Sequence, residues 1–356
     1  MKKQYSTNLV VLPDVHGAAT QMQKSFDSLR EFQNDWKRKI SDCCPKDLSP
    51  MFADRNKYVS LGDLVDRGSD SLGVLQKVSA MVNSREMDFS YLCGNHEAMF
   101  FRFLFDSNPN SQLDFHVNNL RLFLLNGGLH TLVSLTGLAG APQSQSFIYD
   151  SHCLKRSQID GFLDKYMGYI SDLRVFLLYN PLIRSFFEGM QLSIKHEDDL
   201  CVHAGFMPGF LFQETFGPAY GWLESLNGRF KDAVAAGMHG DFSDFSVFNQ
   251  ASASRGGSGP AGPLWASKRD IFGLSDSAID LLSLYLSVEG VNTMYVGHSV
   301  VSDVFRFPLT ADQKIIFTDT GMTPKYTTGF DSQIVIRDSK GDIYHIDSWG
   351  QFNITD

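Results

Sequence analysis

Five short stretches of this chain carry groups able to bind a metal ion, each at the end of an apolar run and beside a glycine. Asn8–Leu12 leads to Asp14, His16 and Gly17; Tyr58–Leu61 leads to Gly62 and Asp63; Phe89–Cys93 leads to Gly94 and Asn95. Later, Leu200–Val202 leads to His203, and Thr293–Val296 leads to Gly297 and His298. Runs of this length and composition read as buried strands. A carboxylate or imidazole at the tip of such a strand is rigidly held, which suits a ligand better than a solvated surface charge. In open α/β sheets, ligands bind at the carboxyl ends of the strands. Gathered at one point, these donors make two sites that share Asp63. Asp14, His16 and Asp63 would hold one ion, and Asp63, Asn95, His203 and His298 the other. Mixed carboxylate, amide and imidazole donors suit Mn, Fe or Zn better than Mg or Ca. Two ions about 3.5–4 Å apart clamp an in-line displacement at phosphorus and supply a bridging hydroxide as nucleophile at neutral pH.

Three more polar residues sit among these donors. Arg67, four positions after Asp63, is placed to take a phosphate oxygen pair bidentately. His96 follows Asn95 and is placed to face the leaving-group oxygen as general acid. Asp66 is expected to hold that imidazole and keep it protonated. The plainer alternative is a surface ion pair between Asp66 and Arg67.

The elements that position these groups follow from periodicity. Residues 18–41 read as a helix, 43–56 as a loop, and Ser71–Val82 as a second helix with helical apolar spacing. This gives a β-α-β-α-β run to Gly94, as expected of a sheet covered by helices. Residues 99–196 are dense in Phe, Leu, Tyr and Met, with helical patterns at Met99–Phe105, Leu113–Leu125, Ile159–Tyr179 and Pro181–Gln191. They read as a helical cap inserted into a single domain that spans 1–356, its aromatic residues forming core rather than substrate surface. A second interruption runs from Phe210 to about Pro263 and ends in a Gly-, Ser- and Pro-rich loop, 251–263, expected to be flexible. Ile279–Leu286 reads as a helix. Ile315–Thr318, Gln333–Arg337 and Ile343–Ile346 alternate, and read as the edge of a second, antiparallel sheet.

The 356 residues are 43% hydrophobic and 20% charged, ordinary values for a large core. A net charge of −9 argues against a protein built to neutralise nucleic-acid phosphates. Five cysteines, Cys43, Cys44, Cys93, Cys153 and Cys201, lack disulfide-framework spacing and point to a reducing compartment. No apolar leader follows Met1-Lys2-Lys3, and no run is long enough to cross a membrane. A cytoplasmic location is expected, with export by a route that needs no amino-terminal signal left open.

The motifs D-x-H-G at Asp14, G-D-x-V-D-R-G at Gly62 and G-N-H-E at Gly94, followed by H-A-G at His203 and G-H at His298, resemble those of the phosphoprotein phosphatase (PPP) family of calcineurin-like metallophosphoesterases. The resemblance implies an αββα sandwich, a dimetal centre (Mn²⁺ first, Fe or Zn next) and hydrolysis of phosphomonoesters. The element Gly262-Pro263-Leu264-Trp265 and the triplet Asp319-Thr320-Gly321 are similar to elements of the bacterial Shewanella-like and ApaH-like branches. In those branches an arginine after the tryptophan binds phosphate. Here Ser267 stands at the matching place, and of Lys268 and Arg269 the second is preferred. The long segment after Asn95 departs from the eukaryotic pattern and is similar to the helical insertion of Wip-type effector phosphatases of Legionella, which implies delivery to a host cell.

These readings lead to a protein phosphatase acting on phosphoserine and phosphothreonine before phosphotyrosine, with a protein partner docking on the cap. The alternatives are a dinucleoside polyphosphate or mRNA-cap hydrolase of the ApaH-like type and a non-catalytic phosphate-binding scaffold. Deleting Gln112–Gln158 is expected to change substrate choice while sparing hydrolysis of a small aryl phosphate.

Overall fold

The structure, a computed structural model, describes residues 7–42, 55–106, 119–137, 156–251, 259–321, 334–338, 341–346 and 352–354. Residues 43–54 of the loop expected at 43–56, whose last residue Asn56 begins a strand, lie outside them, as do the first part of the helix expected from Leu113 and most of the loop expected at 251–263.

Two mixed sheets face each other. The first has the order β11-β10-β9-β1-β2-β3, built from β1 (Asn8–Leu12), β2 (Asn56–Ser60), β3 (Asp88–Tyr91), β9 (Ile334–Arg337), β10 (Ile343–Ile346) and β11 (Phe352–Ile354). The second has the order β4-β5-β6-β8-β7, from β4 (Ser193–His196), β5 (Asp199–Val202), β6 (Thr293–Val296), β7 (Phe305–Pro308) and β8 (Lys314–Phe317). Successive strand residues point to opposite faces, and β1 uses both. Leu9 and Val11 meet Val59, Ile194, Cys201, Tyr295, Ile316 and Val335 between the sheets. Val10 faces outward against Leu29 of helix α1 (Ala19–Asp42). Fully burying such a side chain is worth about 1.5–3 kcal/mol. Helices α1 and α2 (Ser71–Val82) lie along the first sheet. Helix α12 (Asp276–Val288) packs Leu282, Tyr285 and Leu286 in one apolar cluster with Met294, Ile315 and Phe317 of the second sheet. The result is the expected αββα sandwich.

Between β3 and β4 the described chain is helical: α3 (Asn95–Phe105), α4 (Asn119–Phe123), a wider turn at Leu124–Gly128, α5 (Leu129–Thr136), α6 (Ile159–Leu178) and α7 (Pro181–Glu188). All eleven residues of α3 are buried. Phe100 and Phe101 stack among Phe123, Phe187 and Phe245, so these aromatic residues are core. Three further helices, α8 (Pro208–Thr215), α9 (Trp222–Gly237) and α10 (Ser243–Phe248), occupy the second interruption. Beside the Gly-, Ser- and Pro-rich stretch, Ala251 and Ala261 are buried, and Gly262 N–H donates to Gln250 O at 2.8 Å.

The carboxy-terminal strands differ from the sequence reading. β8 lies parallel to β6 in the second sheet, whereas β9 and β10 join the first sheet, with β9 antiparallel to β1. Alternation tells which face of a strand is apolar; it does not tell which neighbour that strand will find. No helix among the described residues is long and apolar enough to cross a membrane. Cys93 and Cys201 are buried free thiols.

Candidate active site

β1, β2 and β3 run parallel, as do β5 and β6, so within each sheet the donor-bearing tips leave along a common edge. Hydrogen bonds stitch the two edges together. His203 Nδ1 donates to Leu61 O at 2.8 Å, and His298 N–H reaches the Asp14 carboxylate at 3.0 and 3.2 Å. The tips turn sharply. Gly62 has φ 98°, and a β-carbon there would sit 2.6 Å from Gly94 N. His16, Asp63, Asp66, Arg67 and His298 are themselves left-handed. Such residues cost of order 1–3 kcal/mol each and persist where the surroundings over-determine them.

Glu97 supplies much of that determination. Its buried carboxylate accepts from four backbone N–H groups: Asp63 at 2.7 Å, Gly94 at 2.9 Å, Leu64 at 2.7 Å and Val65 at 3.2 Å. One carboxylate therefore fixes the tips of β2 and β3 against each other. An amide offers a single acceptor oxygen and would turn its NH₂ toward donors. Glu97→Gln is expected to cost about 1–3 kcal/mol for each N–H left without an acceptor, read as a drop in the urea midpoint. An unchanged midpoint would show that the loop does not depend on this carboxylate.

The donors converge on Asp63. His16, Asp63 and His96 form one group, and Asp63, His203 and His298 another; within each, the ligand atoms lie within 4.8 Å of one another. Asp63 Oδ2 is 3.6 Å from His16 Nε2, and its Oδ1 is 3.5 Å from His203 Nε2. Asn95 Oδ1 lies 2.9 Å from His298 Nδ1 and 3.2 Å from His203 Nε2. Asp14 joins neither group, being engaged with His298 N–H and hydrogen-bonded to Asp319. Arg67 Nη1 donates to His16 Nε2 at 2.7 Å. Arg269 is exposed on α11 (Lys268–Phe272) and makes no hydrogen bond or ion pair with the cluster among the described residues. Lys268 is also committed: its N–H donates to Ser299 Oγ and its Nζ to Val300 O.

The charge balance bears on whether metal ions fit. Five buried carboxylates, Asp14, Asp63, Asp66, Glu97 and Asp319, are gathered around one half-buried arginine, Arg67. Burial pushes Asp63 and Glu97 up to about 7 and Asp319 to about 6. Burial, then the charges of Asp319 and Asp63, holds Asp14 well above the carboxylate range. Such a cluster asks for positive charge. The imidazoles are arranged to match. Nδ1 of His16 faces Val65 O at 3.3 Å, and Nδ1 of His203 faces Leu61 O. Each bond leaves the Nε2 lone pair aimed inward, the arrangement usual for metal-ligating histidines. The residues present therefore fit divalent ions.

His96 and Asp66, expected to work together, are in contact: His96 Nδ1 lies 2.8 Å from Asp66 Oδ2, both fully buried. His96 Nε2 is buried with no hydrogen-bond partner, 3.9 Å from Asp63 Oδ2. Asp66 was expected to keep this imidazole charged. Burial acts the other way, lowering His96 well below its usual range, with Arg67 adding to the effect, and raising Asp66. Both directions disfavour the charged forms of the two side chains. Three residues at this site had no role in the sequence reading. Glu97 and Asp319 lay inside motifs already noticed. Thr131, which touches Asp66, carried no local signal.

Fold and donor set together define a metal-dependent phosphoesterase. The family profile for calcineurin-like phosphoesterases matches residues 7–302, and the chain belongs to that family. Among solved structures, a cold-active protein-tyrosine phosphatase of a psychrophile, Shewanella sp., superposes with a TM-score of 0.53 at 17% identity, covering 100% of this chain and 83% of that one. A cold-active protein tyrosine phosphatase solved at 1.1 Å gives 0.52 at 17% identity, covering 99% and 80%. A protein serine/threonine phosphatase from Saccharomyces cerevisiae gives 0.41 at 13% identity, covering 94% and 73%. In a sequence comparison, no curated protein matches this chain.

Proposed function

We propose that this chain is a dimetal-dependent phosphatase that removes phosphate from phosphorylated protein side chains, serine and threonine before tyrosine. The observation that carries the reading is the pair of donor groups sharing Asp63, with the His96–Asp66 pair against them. His16 and Asp63 would hold one ion, with Asp14 beside them; Asp63, Asn95, His203 and His298 would hold the other. Bound there, the ions supply Lewis-acid polarisation of phosphoryl oxygens and lower the pKa of water they hold. Arg67 binds and orients the phosphate, releasing His16 Nε2 as it does so. His96 Nε2–H gives its proton to the departing oxygen while Nδ1 takes the one held by Asp66, so the imidazole ends neutral and the pair's new negative charge rests on the Asp66 carboxylate.

That relay supports the preference for serine and threonine, because an alkoxide needs a proton to leave and a phenolate needs it less. Phosphotyrosine stays as the competing substrate, since two of the superposed structures are protein tyrosine phosphatases. The ApaH-like reading stays as a second alternative through Gly262-Pro263-Leu264-Trp265; Asn126-Gly127-Gly128, which is also similar to that branch, supports it less. Gly127 and Gly128 are accounted for by packing, because β-carbons there would fall 2.5 Å from Arg67 N and from the Phe123 ring.

The test is hydrolysis of matched phosphoserine, phosphothreonine and phosphotyrosine peptides and of diadenosine tetraphosphate, with Mn²⁺ and with chelator. Metal-dependent release from the peptides supports the proposal; activity confined to the dinucleotide overturns it. His96→Asn is expected to slow phosphoserine-peptide turnover by about 10²–10⁴-fold and nitrophenyl phosphate turnover far less. Equal losses on both substrates would give His96 a positional role only.

A further inference from the structure

We propose that Thr131, on α5, is a positioning residue for the acid pair, so that the helical segment read as a cap is a working part of the site. The inference rests on the reading of His96 as the acid. Thr131 is fully buried, 65 residues from Asp66 in sequence, and meets it twice. Its Oγ1 donates to Asp66 Oδ1 at 2.6 Å and accepts from Asp66 N–H at 2.8 Å. A hydroxyl has one proton and two lone pairs. Its proton is committed to Asp66, so the contact with Ser71 Oγ at 3.2 Å must be donated by Ser71, from the start of α2. Every valence of the hydroxyl is then used. With Oδ1 occupied, Asp66 has Oδ2 left to face His96 Nδ1. Thr131 thus selects which carboxylate oxygen meets the imidazole and fixes the plane in which it does so.

Two further contacts join this segment to its surroundings. Ser134 Oγ accepts from Leu72 N–H at 2.9 Å, joining α5 to α2. Gly127, with φ 106°, lies directly on the backbone of Arg67, where a β-carbon would come within 2.5 Å of Arg67 N. Both halves of the Asp66-Arg67 pair are therefore backed by the same helical segment. The deletion of 112–158 would remove Thr131, Ser134 and Gly127 together, so it would disturb the Asp66-Arg67 pair as well as the cap.

The experiment compares T131V, T131S and S134A in the full chain with Mn²⁺, measuring kcat and KM on a phosphoserine peptide and on p-nitrophenyl phosphate. T131V keeps the shape and loses the hydroxyl. Its kcat on the peptide is expected to fall about tenfold or more, with at most about a threefold fall on nitrophenyl phosphate. KM should hold on both substrates, and T131S should recover most of the loss. S134A loosens the helix without touching Asp66 and should keep the wild-type ratio between substrates. In the metal-free protein, T131V should move the ¹⁵N shifts of the His96 ring and S134A should not. Should T131V fail to fold, T131A, which leaves room for a water at Asp66, makes the same comparison. Equal losses on the two substrates, or no recovery in T131S, would overturn the inference. Failure of the unaltered protein to turn over either substrate would instead overturn the phosphatase reading beneath it.

Discussion

Asp63→Asn is expected to lose metal-dependent hydrolysis by on the order of 10³-fold or more, because metal-ion catalysis supplies several kcal/mol of barrier lowering. Asp63 is the residue common to both donor groups, with one carboxylate oxygen toward His16 and the other toward His203. An amide keeps the volume and one acceptor, so the hydrogen bond from His96 N–H to Oδ1 can survive. It cannot present two anionic oxygens to two ions. The fold should therefore persist while the pairing of ions fails. Equilibrium binding of Mn²⁺ should fall from two ions per chain to one or none, with the metal-free melting temperature held or raised, since a buried charge has been removed. A variant that kept both ions and near-normal turnover would end the shared-ligand reading.

The second large effect lies away from the site. Arg337 closes β9 and is 2% exposed. It donates to Asp199 Oδ2 at 2.6 Å across the sandwich and to Glu197 at 3.0 Å. β9 belongs to the first sheet and Asp199 opens β5 in the second, so this ion pair ties the two layers together. Arg337→Met fills similar space but strands Asp199. Breaking one partner of a buried pair costs about 3–5 kcal/mol. Burial pushes Asp199 up to about 7, although the arginine pulls it down. A folded pKa above the unfolded value means that the native state holds the extra proton, so this group makes stability fall as pH rises between about 4 and 7. Without Arg337 the fall should extend to higher pH. Denaturant midpoints at pH 5 and pH 8 check it: the gap between variant and wild type should be wider at pH 8. A gap independent of pH would mean that lost packing, not a stranded charge, is the cost.

The sequence told most where a residue's role is local. Asp14, Asp63 and Asn95 each follow a strand within a few residues, and the strand and its glycine are written beside them. Roles that depend on what another segment brings were not legible. Glu97 was in view within G-N-H-E, yet its task is set by N–H groups at 63–65, more than thirty residues away. Thr131 looks like any helix residue until α5 is seen against Asp66. The short strands β4 and β7 escaped for different reasons. β4 is four residues at the end of a helical stretch. β7 is an edge strand, largely exposed and ending in proline, and its Phe305-Arg306-Phe307 alternation is too short to mark a strand. The pairing of β9 with β1 was hidden too, since a periodicity of two says nothing about partners.

The bond from His298 N–H to Asp14 joins residues 284 positions apart, and Asp319 touches the same carboxylate. Closing so long a loop is paid for before its contacts return anything, which places this centre among high-contact-order structures that form late. A chain emerging from the ribosome would have β1, β2 and β3 available long before His298. Through that interval Asp14, His16, Asp63 and Asn95 would form an open, half-coordinated edge. Catalytic competence is thus tied to completion of both layers, and the appearance of activity during refolding would report the docking of the second sheet on the first.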